Sequence, residues 1–137
     1  MTPGEAQSAS DELRLAQQAL KSAELLLETS ALEDAASRLY YSAFHAARAA
    51  LAIKGLYAKT HSGLLALYSD TFGPAPLLRR LFQARSQADY EMNKFTLDRA
   101  DLTEMIQGVR EFLEKSKDDV SRALARGPDE QDPPPDK

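Results

Sequence analysis

A chain of 137 residues, 43% hydrophobic and 28% charged, is long enough to bury one sizeable core and too short for two domains. Its net charge of −4 gives no global attraction to nucleic acid, so any contact with RNA requires a local basic patch. The absence of cysteine excludes disulfide scaffolds, thiolate metal sites and cysteine nucleophiles.

The N-terminal stretch MTPGEAQSASDE has neither a basic region nor an apolar run, so no secretory signal is expected. No apolar stretch approaches the roughly 20 residues that a bilayer span requires, and the expectation is a cytoplasmic protein that makes no membrane contact. Leu13, Ala16, Leu20, Ala23 and Leu27 recur at helical spacing and predict a first helix, interrupted at Thr29 and Ser30. Ser30 to Glu33 has the spacing of a capping box for a second helix over about 31–54, with Gly55 as its stop. That helix is apolar almost all round, which predicts the central, most buried position. A short third helix starts at Thr60 or Ser62 and ends before Gly73-Pro74, and a fourth runs from Leu77 to about Tyr90. Leu102, Met105, Ile106, Val109, Phe112, Leu113 and Val120 mark a long fifth. Nothing alternates like a strand, so the expected fold is an all-α five-helix bundle over 1–126. The proline- and charge-rich 127–137 has nothing to bury and is expected to be a disordered tail.

Two groups of polar residues stand out against this pattern. In the fourth helix, Leu78, Leu81, Phe82, Ala88 and Met92 share one side, and Arg85 and Asp89 fall in the same stripe one turn apart. Arg79, Arg80, Gln83, Gln87 and Glu91 take the solvent side, and Tyr90 lies off the stripe. A cation and an anion inside an apolar stripe cost desolvation energy unless they are paired or used. In the second helix, Arg38, Tyr41, His45 and Arg48 fall within an arc of about 80°. Leu39, Tyr40, Ala43, Phe44, Ala47 and Leu51 face the other way as core. Two guanidiniums, an imidazole and a phenol on one edge suit an anion, a phosphate or an interface.

Other chemistry is not signalled. Gly63 and Gly73 are isolated turn glycines rather than a phosphate loop, and no serine has the surroundings of an activated nucleophile. The two histidines, His45 and His61, have no acidic cluster joining them, so neither a metal nor a cofactor is expected. His61, at the start of a helix, reads as a capping or packing histidine.

SRLYYSAFHAARAAL (37–51), KTHSGL (59–64) and RSQADY (85–90), in that order and followed by an amphipathic helix, resemble the HEPN domain. The closer likeness is to the small stand-alone prokaryotic HEPN proteins, over about residues 8–122. The resemblance implies a helical bundle that is commonly a homodimer, often encoded beside a minimal nucleotidyltransferase. Several such proteins are toxins that cut RNA without a metal. Their ribonuclease signature is an arginine followed after four to six residues by histidine, two motifs meeting across a dimer. The arginine stabilises the phosphorane charge and the histidine moves the proton. Arg85 matches the arginine, but Tyr90, Glu91 and Met92 occupy the histidine positions. A tyrosine of ordinary pKa ~10 is a poor base at neutral pH.

The expectation is a catalytically degenerate module that binds a nucleotide, RNA or a partner nucleotidyltransferase. In it Arg85 holds an anion, Asp89 orients Arg85, Arg38 and His45 line the same cleft, and Tyr41 and Arg48 are further ligand-binding residues. A metal-independent endoribonuclease of a toxin–antitoxin pair, with Tyr90 or His45 replacing the missing histidine, is the second reading. A purely structural interaction module is the third.

Overall fold

The computed structural model describes residues 1–126; segment 127–137, read from sequence as a tail, lies outside the described residues. The described chain forms α1 (Pro3–Glu28), α2 (Leu32–Ala52), α3 (His61–Phe72), α4 (Pro76–Tyr90), a 3-10 turn (Met92–Lys94) and α5 (Arg99–Ala125). This is the all-α five-helix bundle that the periodicity implies, and no described residue is in a strand.

α2 is the central helix, packed against the four others. Leu39, Tyr40, Ala43, Ala47 and Leu51 are essentially inaccessible. Small residues set the spacing of the α1–α2 pair. Ala16 and Ala23 on α1 and Ala35, Ala46 and Ala49 on α2 are fully buried, which lets the two backbones approach closely. Ser42, also fully buried, donates its hydroxyl to the Ala16 carbonyl at 2.8 Å and so avoids an unpaired polar group at the contact.

Helix ends follow local rules where the side chains reach. Thr2 accepts from the Glu5 amide while Glu5 Oε1 accepts from the Thr2 amide, a reciprocal cap for α1. Asp98 and Asp101 do the same for α5, and Thr60 caps α3 by accepting from the Gly63 amide. α2 differs from expectation. Its N-cap is Ala31, with no side-chain cap. Ser30 has φ +61°, outside the extended conformation that a capping residue adopts, so it cannot close a box with Glu33. It turns the chain between α1 and α2 and accepts a hydrogen bond from Arg99 Nη2, tying that turn to the start of α5. Glu33 and Asp34 in the first turn still complement the helix dipole.

α4 buries Leu78, Leu81, Ala84 and Ala88 and half-buries Phe82, as its stripe requires. Met92 does not belong to that stripe. The chain leaves helical geometry at Glu91 (φ −139°, ψ 54°), the 100° step no longer applies, and Met92 is 64% exposed.

Candidate functional site

The packing of α4 on α2 puts Arg85 and Asp89 beside Ser37, Arg38 and Tyr41. The Arg85 side chain is only 13% exposed and Asp89 is 33% exposed, so the pair sits at the rim of the core. Arg85 Nε lies 3.0 Å from Asp89 Oδ2, an ion pair one helical turn long. The Nε–H is not aligned for a hydrogen bond, and the buried nitrogen has no other partner. Asp89 is held from the opposite side by Ser37, whose hydroxyl donates to Oδ1 at 2.6 Å. Arg85 Nη2 donates to the Tyr41 hydroxyl at 3.1 Å.

The rings of Tyr40, Tyr41 and Tyr90 lie 5.8, 5.6 and 5.4 Å from the Arg85 guanidinium carbon, within cation–π range. Burial works to lower the Arg85 pKa, but the Tyr41 hydroxyl that accepts its hydrogen bond, with Tyr90 and Asp89, raises it above the ordinary value. The side chain therefore stays cationic. Arg38 reaches the same phenol, with its guanidinium carbon 4.8 Å from the Tyr41 ring centre. Tyr41 thus stands between two guanidiniums, one from each helix. Tyr90, at the position where the signature has histidine, is 74% exposed and touches Arg85 only through its ring.

The polar edge of α2 divides. Arg38, Tyr41 and His45, with Leu15, Gln18, Ala19 and Ser22 of α1, line an open cleft of about 210 Å³. Arg48 is not in it. His45 Nδ1 and Arg48 Nε lie 2.6 and 3.2 Å from the two oxygens of Glu12, a carboxylate on α1 that is nearly buried. Arg48 also packs against Phe44 and Tyr57. α2 and α4 do pack together, but the Nδ1 of His45 is engaged by Glu12 on the α1 side, and the hydrogen bond from Arg85 to α2 goes to Tyr41. Periodicity gave no reason to choose Glu12 among the acidic residues of α1, because its partner lies 33 residues away in sequence.

His61 is the packing histidine that its place at the start of a helix suggests. Besides opening α3, its Nδ1 is 2.6 Å from the hydroxyl of fully buried Tyr40. Its ring packs on Tyr40, Tyr41, Phe44 and Phe82. Burial lowers its pKa, and the positive charges of Arg85 and Arg48 lower it further. Burial likewise raises the Tyr40 pKa far above the usual phenol value, so that hydroxyl stays protonated. Among the described residues, no three histidines or carboxylates gather as a metal site, and no helix is long and apolar enough to cross a membrane.

With this geometry in view, a family model of the HEPN domain matches residues 9–120. The chain belongs to the HEPN family. Among curated relatives, UPF0332 protein PH1297 of Pyrococcus horikoshii is 39% identical over 70 residues, 51% of this chain and 49% of that protein. The protein named Putative toxin MJ0605, from Methanocaldococcus jannaschii, is 26% identical over 82% of this chain and 88% of its own length. UPF0332 protein glr0978 of Gloeobacter violaceus is 36% identical over 44% of this chain and 48% of that protein. The HEPN chain thus spans about half the length of two of these relatives and most of the third.

Proposed function

We propose that this HEPN protein binds a phosphate-bearing ligand, RNA or a nucleotide, at the α2–α4 junction and does not cut it. The observation that carries the reading is the sharing of Tyr41 by Arg38 and Arg85 next to an open cleft, with Asp89 as the one carboxylate in direct contact among the described residues. Two guanidiniums against one carboxylate leave local positive charge in a chain of net charge −4, the local patch that anion binding needs. Asp89 and Tyr41 fix the guanidinium before a ligand arrives, which reduces the ordering cost of binding. The motif position that should move a proton holds Tyr90, an exposed phenol, a group whose ordinary pKa of ~10 makes it a poor base at neutral pH. Binding of a short single-stranded RNA and of AMP, measured by fluorescence anisotropy and calorimetry at fixed salt, tests this. Arg85→Ala and Arg38→Ala should each weaken binding about tenfold or more, and no binding by the wild-type chain sinks the reading.

The similarity to Putative toxin MJ0605 favours a second reading, a metal-independent endoribonuclease of the toxin type in which Tyr90 takes part. That reading requires growth arrest on expression, its loss in Arg85→Ala and Tyr90→Phe, and RNA fragments ending in a 2′,3′-cyclic phosphate. A homodimer and a nucleotidyltransferase partner are part of the proposal. Exposed Tyr90 and Met92 at the end of α4 supply apolar surface beside the site for such a contact. Light scattering and co-expression with the adjacent reading frame test them.

A further inference from the structure

We propose that His61, held by Tyr40 in its Nε2–H tautomer, is a hydrogen-bond donor to the bound anion, a role neither the arginine motif nor the α2 edge contains. This rests on the reading of the Arg85 junction as an anion site. The tautomer follows from hydrogen-bond accounting. Tyr40 is fully buried, and His61 Nδ1 is the partner its hydroxyl has among the described residues. A buried hydroxyl that must donate gives its proton to Nδ1, so the ring proton of a neutral imidazole resides on Nε2. His61 Nε2 has no partner among the described residues, and it is not one of the buried unpartnered nitrogens. His61 is only half-buried, which leaves that edge a path to solvent.

The surroundings keep His61 neutral. Burial disfavours the imidazolium, and Arg85 and Arg48 add like-charge repulsion. Arg85, whose guanidinium shares the Tyr40 and Tyr41 rings with His61, draws an anion toward the imidazole. Its buried Nε has no aligned acceptor, so Asp89 does not fully satisfy it. A neutral Nε2–H donates to a phosphate oxygen but has no lone pair at its open edge to accept a proton. His61 therefore does not stand in as the general base that the motif lacks. It adds a directed donor while Arg85 supplies charge.

Nitrogen NMR of protein labelled at histidine tests the tautomer without any ligand. The expected spectrum at neutral pH shows a neutral His61 protonated on Nε2, and Tyr40→Phe should mix the two tautomers. A cationic ring, or one protonated on Nδ1, overturns the proposal. Affinity for a short single-stranded RNA tests the contact. His61→Phe should weaken it about five- to tenfold, His61→Gln, which can accept from Tyr40 and donate outward, should recover most of that loss, and wild-type affinity should stay flat where an ordinary histidine titrates. Full affinity in a folded His61→Phe variant, alongside its loss in Arg85→Ala, overturns the His61 contact and leaves the arginine site standing. No binding by the wild-type chain, or binding that Arg85→Ala leaves unchanged, removes the arginine site and the His61 contact together.

Discussion

Ser37 on α2 and Asp89 on α4 are joined by a 2.6 Å hydrogen bond across 52 residues of sequence, and the other oxygen of Asp89 holds Arg85. The link makes Asp89 a fixed counter-ion rather than a mobile one, and it sets how far Arg85 can swing toward a ligand. Asp89→Ala removes an ion pair and a hydrogen bond together, and should cost roughly 1–3 kcal/mol at this partly exposed rim. Ser37→Ala removes the hydrogen bond alone and should cost about 0.5–1.5 kcal/mol. Urea denaturation of the two variants should preserve that order. Equal losses would mean that Asp89 contributes nothing through Arg85.

Glu12 serves two cations at once. Replacing it by alanine leaves His45 and Arg48, each about a fifth exposed, without their carboxylate. The expected destabilisation is about 2–4 kcal/mol, toward the low end because solvent still reaches both partners. His45→Ala, which leaves Glu12 paired with Arg48, should cost less. Thermal unfolding of the two variants gives the comparison, and a larger loss for His45→Ala would contradict the assignment of Glu12 as the hub.

His61 should leave a mark on the pH dependence of stability. Its folded-state pKa lies below its ordinary 6.5, through burial first and then the charges of Arg85 and Arg48. Between the depressed value and 6.5 the unfolded chain binds a proton that the folded chain does not, so its stabilising contribution is present above 6.5 and is lost as pH falls through this window. The difference in unfolding free energy between wild type and His61→Gln should therefore shrink on acidification below neutrality. A difference that grows would mean the imidazolium is favoured in the fold.

Ser42 tests the close approach of α1 and α2. It is fully buried, and its hydroxyl is spent on the Ala16 carbonyl. Ser42→Ala should cost about 1 kcal/mol for the lost hydrogen bond. Ser42→Leu should cost at least about 1–3 kcal/mol by forcing the helices apart. Calorimetric melting of both variants decides it, and a neutral Ser42→Leu would show that the pair is looser than its alanines suggest.

By itself the sequence determined the helices, their order and the central place of α2, because helical periodicity and the turn residues Gly55 and Gly73 are local properties that survive without knowledge of packing. It also marked Arg85 and Asp89, since two charges in an apolar stripe are visible from spacing alone. The cap of α2 was misread because Ser30 turns left-handed under the demands of the α1–α2 connection and answers to Arg99 on α5. Met92 was misplaced because the helix ended before it. Partner choice belonged to the tertiary structure alone. Arg38, Tyr41, His45 and Arg48 share one edge of α2, yet packing sends His45 and Arg48 to Glu12 and sets Arg38 and Tyr41 with Arg85. The same packing places His61 on Tyr40. The hydrogen-bonded pairs among them span 21 to 44 residues, and partners at such separations follow from the orientation of whole helices rather than from any repeat along the chain.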